Sequence, residues 1–363
     1  MISWVKKMSK KGKKVALVIF LIIMFTIIAF FGLTAYNLSP LDPSDETNIV
    51  LEIKEGTGKA EIANQLKKAK LIKSSFFLKV YLSFSSPTLY AGTYKLSPSM
   101  SALEILDKLK MQDNLENEIV TVTFIEGKRL STYVKQISEN FNYSEEEIYN
   151  KINDPEFLNT LINKYWFITK DILADGIYYP LEGYIYPDTY DFKKTSTVEE
   201  IVMKTLDNMD KKLSQYKEEI NLSSYSIHQL LTLASIVELE GANSLDRAGI
   251  AGVFYNRLKD NLTLGSDVTT YYAVKKDFST DLTWVDLNSC NGYNTRGTCV
   301  KGLPVGPIDS ASLESIVAVL EPKTHDYYFF VSDTNKQTYF SKTATEHAEI
   351  VNRLKSEGIW FEY

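Results

Sequence analysis

A run of apolar residues near the start of the chain constrains its fold more than any other feature. Residues 15–31 read VALVIFLIIMFTIIAFF, in which Thr26 is the one polar residue. With the five residues that follow, the run covers positions 15–36. That length, about 22 residues at 1.5 Å each, crosses a hydrocarbon core of roughly 30 Å. The sequence therefore predicts a transmembrane helix over residues 15–36.

A cleaved signal peptide is the alternative interpretation of this run. Such a peptide has an apolar core of about 7–15 residues and ends at a small-residue site of the A-x-A type. Here the apolar run is longer, and Ala35-Tyr36-Asn37 fits that site poorly. A buried core helix would have a polar face, which this run lacks. We therefore expect an uncleaved, single-pass anchor.

Charge is distributed unevenly along the chain. Six lysines and no acidic residue occur in residues 1–14, although the whole chain has a formal net charge of −6. The positive-inside rule places this basic segment in the cytoplasm and everything after the helix outside the cell membrane. The remainder is more acidic than the total indicates and would repel a polyphosphate, so nucleic acid is not an expected partner.

Composition argues against several kinds of site. The chain has three histidines, none at the spacing of an HExxH motif, and it has no glycine-rich nucleotide-binding string. No metal or cofactor is therefore expected. Cys290 and Cys299 lie nine positions apart. Outside the cell a disulfide that closes this loop is favoured over two free thiols.

Beyond the anchor the pattern indicates an α+β protein in two parts. A linker rich in Pro, Ser and Asp occupies residues 37–47, and residues 48–116 read as strand, two helices, strand and helix. Residues 117–363 read as a larger mixed α+β domain, which opens with a strand and closes with two strands and a helix. Within it, residues 176–192 are aromatic and turn-rich.

The helix predicted over residues 227–241 carries the most informative acidic residues. Its leucine, alanine and valine residues form one apolar face, and Glu238 and Glu240 flank that face on opposite sides, just before Gly241 as the C-cap. Both carboxyls are therefore expected to be half-buried. Burial disfavours the ionised form and raises a carboxyl pKa, as a general acid working near neutral pH requires. The alternative is a pair of boundary glutamates without a function.

Several ordered motifs resemble one family along essentially the whole chain from residue 15. They are LYAGTYKLSPSMSALEILDKL, LEGYIYPDTYDF, SIVELEG, DRAGIAGVFYNRL, SDVTTYYA, GYNTRG, GLPVGPI, YYFFVSD and TYFSKTATEH. Together with the single N-terminal membrane helix, they are similar to the endolytic murein transglycosylases, the YceG-like (MltG) family. Agreement of so many motifs in one order favours a functional role for the SIVELEG acids over the boundary alternative.

The resemblance implies a fold, an activity and partners. Residues 48–116 would form a LysM-like subdomain, and residues 117–363 would form the YceG-like catalytic domain. The protein would be a lyase that cleaves peptidoglycan glycan strands internally, between N-acetylmuramic acid (MurNAc) and N-acetylglucosamine (GlcNAc), and leaves 1,6-anhydroMurNAc ends. It would terminate nascent strands beside the penicillin-binding protein synthases and the elongation machinery, without a cofactor.

The family's catalytic glutamate lies in a motif of the form I-V-E-x-E, and the resemblance places it at Glu240, with Glu238 as the alternative. Other lytic transglycosylases commonly have a hydroxyl residue after this glutamate, where this chain has Gly241. One carboxyl is sufficient if the sugar's own 6-hydroxyl attacks the anomeric carbon, because that attack replaces water and a second carboxylate. A muramidase-type hydrolase and a non-catalytic glycan-binding scaffold for the synthases are the competing interpretations.

The same motifs supply further candidates for substrate binding. They comprise carboxylates that could orient the sugar, helix residues that could contact the acid or an acetamido group, and turn residues that could line a cleft: Glu182, Asp188, Asn256, Arg257, Asp267, Tyr293 and Asn294. Each has a structural alternative, such as a solvated turn carboxylate, a helix cap or a salt bridge. Gly265 stands where the family more often has Gln, so the resemblance does not extend to a substrate contact from that Gln side chain.

Tyrosines are concentrated in the aromatic segment. They are Tyr178, Tyr179, Tyr184, Tyr186 and Tyr190. Sugar rings pack their C–H faces on aromatic rings, so the cluster could form a platform for a glycan. Packing in the core is the favoured interpretation for most of these rings.

Overall fold

The computed structural model describes residues 10–111 and 118–360, with side chains from Lys14 onward. Contacts divide the chain into two compact units, Met1–Ile119 with Lys193–Thr195, and Val120–Phe192 with Ser196–Tyr363. Both units combine helices with two-stranded sheets, so the prediction of a mixed α+β protein is confirmed. The first nine residues, which hold the start of the predicted basic segment, lie outside the described part.

The first unit begins with a long apolar helix, α1 (Lys10–Leu38). Within Lys14–Leu38 an 18-residue window has a mean hydropathy of 3.0, so the helix is long and apolar enough to cross a membrane. Its large apolar side chains are exposed from Val15 to Tyr36, as they would be against lipid, whereas Leu38 at its end is buried. This is the helix predicted over residues 15–36. Among the residues that the structure describes, it is the single helix of this kind.

The rest of the first unit is a small α+β module. Its elements are β1 (Ile49–Ile53), α2 (Lys59–Lys68), α3 (Ser75–Ser85), β2 (Gly92–Leu96) and α4 (Ala102–Met111). The two strands pair antiparallel, from Ile49 opposite Leu96 to Ile53 opposite Gly92. Apolar residues of the helices and strands form one buried core. The order of the elements is the one that the pattern in residues 48–116 predicts.

The second unit holds the remaining elements. Its first element is β3 (Ile119–Thr123), which pairs with β4 (Thr189–Lys193); the first residue of β3 and the last residue of β4 are counted with the first unit. Between these strands lie α5 (Leu130–Asn140), α6 (Glu145–Ile152), α7 (Pro155–Lys164) and a 3-10 turn (Lys170–Leu173). After β4 come α8 (Val198–Leu213), the 3-10 turn Ser214–Tyr216, α9 (Lys217–Leu222), α10 (Ile227–Glu240), α11 (Arg247–Lys259), α12 (Asp267–Ala273), α13 (Trp284–Leu287), α14 (Leu313–Leu320), β5 (Phe329–Ser332), β6 (Thr338–Ser341) and α15 (Ala344–Ser356).

Helix α10 lies in the core of this unit. A capping box of Ser226 and Gln229 begins the helix, and eleven of its residues are buried. It packs against α11, α12 and α14. The expectation of one apolar face with two half-buried flanks is therefore wrong for Glu238, which is only 8% exposed. The reason is that α11 and the start of α14 cover that flank, a contact that helical periodicity alone does not indicate.

Helix α10 ends at Gly241, as predicted, but not through a left-handed glycine cap. The φ of Gly241 is −75°, which any residue can adopt. A Cβ at this position would lie 2.9 Å from Cγ of Arg247 and 3.0 Å from the Val237 carbonyl oxygen. The glycine is therefore required by the close approach of Arg247, whose guanidinium crosses the helix end to reach Glu238.

Candidate active site

Glu240 lies at the exposed end of the otherwise buried helix α10. Its side chain is half-buried, and its Oε1 accepts a hydrogen bond of 2.6 Å from the Ser266 hydroxyl. Burial raises the pKa of Glu240 to about 7, while the Ser266 hydrogen bond acts in the opposite direction. This carboxyl can therefore hold a proton near neutral pH and also release it.

Ser266 provides the hydroxyl that the residue after Glu240 lacks. It is the residue just before α12, it is buried, and its own N–H donates to Thr295 Oγ1 over 3.1 Å. Sequence reasoning selected the neighbouring Asp267 and missed Ser266. The available signal was a small hydroxyl residue inside LGSD, but nothing local indicated that it would face a residue 26 positions earlier.

Three charged side chains surround the Glu240 carboxyl. Asp267 raises its pKa, whereas Arg296 and Arg257 lower it. Asp267 and Arg296 form an ion pair with 2.6 Å between Oδ1 and Nε. The charged neighbours therefore act on the Glu240 pKa in opposing directions, and burial, the largest effect, raises it.

Arg257 and Asn256 are both held by backbone carbonyls. Arg257 donates from Nε to Tyr328 O and from Nη1 to Leu264 O, each at 2.7 Å. Asn256 donates from Nδ2 to the carbonyl oxygens of His325 and Tyr327, each at 2.9 Å. The structure thus places Arg257 beside the acid, whereas the Asn256 amide braces the segment that leads into β5.

Glu238 occupies a different environment two residues earlier. It accepts from Arg247 Nη2 at 2.7 Å, from the Ser312 N–H at 2.8 Å and from the Ser312 hydroxyl at 2.5 Å. A fourth donor, the Ser315 hydroxyl, lies at 2.7 Å. The carboxylate is buried, paired and fully hydrogen-bonded, so it fixes the start of α14 against α10 and α11.

Glu182 is a second fully buried carboxyl among the predicted site residues. It is 1% exposed and accepts from the Leu130 N–H at 2.7 Å and from the Tyr272 hydroxyl at 2.9 Å. Burial raises its pKa to about 8, against the opposing effect of these bonds and of the Arg129 charge. It joins α5 to α12 beneath the surface.

Asp309 was not selected from the sequence and is the least satisfied carboxyl in the described residues. It has no exposed surface, and neither Oδ1 nor Oδ2 has a hydrogen-bond partner there. Burial and the nearby Glu238 and Glu182 raise its pKa well above the ordinary value, and Arg129 and Arg247 oppose this only partly. Burial of this unpartnered carboxyl therefore favours its neutral form more strongly than in an ordinary aspartate.

The remaining predicted site residues do not contact Glu240. Asp188 is exposed and accepts from Asn208 Nδ2 at 3.0 Å. Tyr293 is buried, and its hydroxyl accepts from the Tyr178 N–H at 3.2 Å. Asn294 has no exposed surface and donates to Ser289 O at 2.7 Å. Asn294 and Tyr293 thus shape the turn that precedes Thr295.

The tyrosine segment divides between core and surface. Tyr184, Tyr186 and Tyr190 are buried, as the packing interpretation predicts. Tyr178 and Tyr179 are half-buried, and Lys275 lies over both rings at 4.6 and 5.8 Å. Tyr149 stacks on the Tyr179 ring and Tyr272 stacks on the Tyr178 ring, so packing also accounts for much of these two rings.

Cys290 and Cys299 are joined in a disulfide, which confirms the favoured prediction. The bond closes a loop that carries Tyr293, Asn294 and the Arg296 that pairs with Asp267. Among residues 10–111 and 118–360, no three His, Cys, Asp or Glu side chains converge in a way that would hold a metal ion. The groups around Glu240 are suited to proton transfer.

Comparisons with known proteins identify the family to which this fold belongs. The profile of the YceG-like family matches residues 51–353. An endolytic murein transglycosylase of Bacillus subtilis (strain 168) is 33% identical over 325 residues, which cover 89% of this chain and 88% of that protein. One from Streptococcus pneumoniae (strain D39) is 33% identical over 337 residues, which cover 87% of this chain and 61% of that protein.

A solved structure agrees as well. The crystal structure of a yceG-like protein from Listeria monocytogenes matches with a TM-score of 0.60 and 32% identity, and the match covers 84% of this chain and 99% of that one. The profile match covers most of the chain, and a relative matches at above 30% identity over nearly its full length. The chain therefore belongs to the YceG-like family.

Proposed function

We propose that this protein is a membrane-anchored endolytic lytic transglycosylase of peptidoglycan. It cleaves glycan strands between MurNAc and GlcNAc and leaves 1,6-anhydroMurNAc ends. The names of the relatives support the substrate and the reaction. The observation that carries the proposal in this chain is the Glu240 carboxyl, half-buried at a helix end, with a pKa of about 7 and one hydroxyl partner.

Glu240 acts first as acid and then as base. The protonated carboxyl donates its proton to the glycosidic oxygen, so that GlcNAc departs with a free 4-hydroxyl. The MurNAc 6-hydroxyl oxygen bonds to the anomeric carbon, and its proton passes to the Glu240 carboxylate. The carboxyl is regenerated and no water is consumed. A pKa near 7 suits both transfers, because neither protonation state is strongly favoured at neutral pH.

The surroundings of Glu240 favour ring closure over hydrolysis. A hydrolase needs a second carboxylate that activates water or attacks the sugar. Glu238 is enclosed by four donors, and the charge of Asp267 is paired with Arg296. The sugar's own hydroxyl needs no such partner, because intramolecular attack gains a high effective molarity.

We infer roles for the other predicted residues from their positions. Arg257 and Asp267, which lie beside Glu240, contact the sugar or its acetamido group. Glu182, Asn256, Tyr293 and Asn294 brace the segments that carry the site. Asp188, with its exposed turn and its bond to Asn208, holds a distal part of the bound strand.

The anchor and the small module give the enzyme its place. The apolar helix Lys14–Leu38 and the preceding lysines support a single-pass topology with a cytoplasmic N-terminus and an extracytoplasmic catalytic unit. The β1–α4 module is a LysM-like subdomain that contacts glycan or a neighbouring protein. Penicillin-binding protein synthases and the elongation machinery are the expected partners, since they produce the strands that this enzyme would terminate.

Mass spectrometry of digested glycan tests the proposal. The purified full-length chain in detergent is incubated with uncrosslinked glycan strands, and the new ends are analysed. We expect internal fragments whose MurNAc end is lighter by one water than a reducing end. Fragments with reducing ends would instead support a muramidase-type hydrolase. Strand binding without any cleavage would support a scaffold.

A further inference from the structure

We propose that Thr295 is a positioning residue for Glu240, that it acts through Ser266, and that the Cys290–Cys299 disulfide maintains this support. The support is therefore sensitive to a dithiol reductant. The proposal rests on the proposed function for its effect on catalysis. Its structural part, the dependence of the Ser266 position on the closed loop, can be measured without substrate.

Thr295 accepts hydrogen bonds from the backbone N–H groups of Gly265 and Ser266. The Gly265 N–H donates to the Thr295 carbonyl oxygen at 3.1 Å, and the Ser266 N–H donates to the Thr295 hydroxyl oxygen at 3.1 Å. Thr295 has no exposed surface. The residue that donates the hydrogen bond to Glu240 is thus fixed by one buried residue from another loop.

A second pair of bonds ties Thr295 to α12. Its N–H donates to Thr269 Oγ1 at 3.1 Å, and the two threonine hydroxyls lie 2.8 Å apart. The next residue, Arg296, forms the ion pair with Asp267. Two consecutive loop residues therefore hold two consecutive residues, Ser266 and Asp267, and both of these act on the Glu240 pKa.

The loop that carries Thr295 has little regular structure of its own. Within this described stretch, no helix or strand is assigned between Leu287 and Leu313. The Asn294 side chain folds the loop onto itself through Ser289 O, and the disulfide joins its two ends. A covalent link across so short a loop removes alternative conformations that an open loop would sample. We infer that the disulfide keeps Thr295 in register with Ser266.

The disulfide is accessible to chemistry. Both Cys290 and Cys299 are exposed. On the extracytoplasmic side such a bond persists unless a thiol reductant attacks it. A dithiol reduces it in a balanced exchange: the S–S bond takes up two electrons and two protons to give two cysteine thiols, and the dithiol becomes a disulfide. The open loop then holds Ser266 less firmly.

The expected consequence for catalysis has a definite sign. The Ser266 hydrogen bond lowers the Glu240 pKa against the effect of burial. When Ser266 is mobile, that pKa rises, and the carboxyl samples more orientations. We expect a lower kcat with little change in KM, and a shift of the alkaline limb of kcat/KM to higher pH. A residue that merely stabilised the fold would change neither the alkaline limb of kcat/KM nor kcat relative to KM.

The test uses the full-length chain in detergent and four variants. Thr295→Val removes the hydroxyl at nearly constant volume, and Thr295→Ser retains it. Cys290→Ser/Cys299→Ser opens the loop without reductant. Thr280→Val is the matched control at an exposed threonine. Hydrogen–deuterium exchange of the Gly265 and Ser266 amides, without substrate, reports the position of Ser266, and kcat, KM and the pH profile report catalysis.

We expect Thr295→Val and the double cysteine variant to exchange faster at these amides and to lose about tenfold in kcat. Dithiothreitol should have the same effect on the wild type, and Thr295→Ser and Thr280→Val should resemble the wild type. Unchanged exchange in Thr295→Val, or in the reduced wild type, would overturn the proposal. If exchange responds but the wild type cleaves no strand, the positioning stands and the proposed function fails.

Discussion

Glu238 and Glu240 lie two residues apart on one helix and have opposite environments. Glu238 is buried among four donors, including a guanidinium. Glu240 is half-buried and has one donor, the Ser266 hydroxyl. A carboxylate can accept about four hydrogen bonds. Glu238 has used this capacity on its own protein, whereas Glu240 retains lone pairs for a substrate.

The difference shows how one helix end can serve both stability and chemistry. Donors from α11 and from the start of α14 occupy the Glu238 carboxyl, so it functions as an ion-pair anchor. Glu240 extends past these elements, where burial without enough donors raises its pKa to about 7. The same substitution, Glu to Gln, is therefore expected to reduce activity at Glu240 and stability at Glu238.

Glu240→Gln should give the largest effect. The amide keeps the shape of the side chain but cannot donate and recover a proton, so cleavage of glycan strands should fall by about 10³-fold. The free energy of unfolding should not fall at neutral pH, because burial raises the pKa of Glu240 to about 7 and the uncharged glutamine removes that cost of burying an ionisable group. Initial rates of strand cleavage and chemical denaturation of the same sample measure both. A folded variant with the wild-type rate would reverse the assignment of the two acids.

Glu238→Gln should act on stability instead. Removing one partner of a buried ion pair leaves the Arg247 charge uncompensated, and such a change costs about 3 kcal/mol. Denaturant unfolding of the detergent-solubilised chain, with Glu240→Gln as the matched variant, measures the difference. Equal unfolding free energies for the two variants would contradict the comparison.

Asp309→Asn should reduce the pH dependence of stability. Because the pKa of Asp309 is raised in the folded state, the unfolded chain ionises first as pH increases. This one group then lowers the free energy of unfolding by up to about 1.4 kcal/mol for each pH unit above an ordinary Asp pKa of about 4. The decrease ends where the folded group ionises as well. Asparagine does not ionise, so stability should decline less between pH 5 and pH 8.

Burying the new asparagine amide changes the free energy of unfolding by the same amount at every pH. It therefore leaves the slope of stability against pH unaffected. Glu182, whose pKa is raised to about 8, contributes a slope of the same sign and remains in the variant. The slope should therefore decrease without disappearing. Identical slopes for wild type and variant, from denaturation at three pH values, would show that Asp309 is ionised in the folded protein.

Ser266→Ala should give the smallest of these effects. Loss of one hydrogen bond to a charged group should reduce kcat by about tenfold. Because that bond lowers the Glu240 pKa, its removal should move the alkaline limb of kcat/KM to higher pH. Rate measurements from pH 5 to pH 9 test this, and Ser266→Thr, which retains a hydroxyl, is the control. A limb that moves to lower pH would contradict the role assigned to Ser266.

Local patterns predicted much of the fold. The apolar run, the module after the linker and the final strand–strand–helix segment all occur in the expected order, because each depends on periodicity within about ten residues. Strand β4 was missed inside an aromatic, turn-rich segment. It forms because Thr189–Lys193 pairs with β3, some 70 residues earlier, and such long-range pairing leaves little local signal.

The site was predictable only in part, for the same reason. Helical spacing placed Glu240 at a helix end, but it could not show that α11 and α14 would enclose Glu238. Ser266 and Asp309 were missed because their importance depends on distant groups, Glu240 in one case and the buried charges around Arg129 in the other. Motif resemblance pointed to Glu238 and Glu240, and their different contacts support the proposal that Glu240 is the catalytic acid.

The protonation state of Glu240 tests the central claim most directly. Infrared difference spectra of wild type minus Glu240→Gln, recorded over a pH series, isolate the carboxylic-acid and carboxylate bands of this one side chain. We predict that the acid band gives way to the carboxylate band with a midpoint near pH 7. A midpoint near 4.5, the ordinary glutamate value, would contradict the account, because Glu240 would then carry no proton to donate at neutral pH.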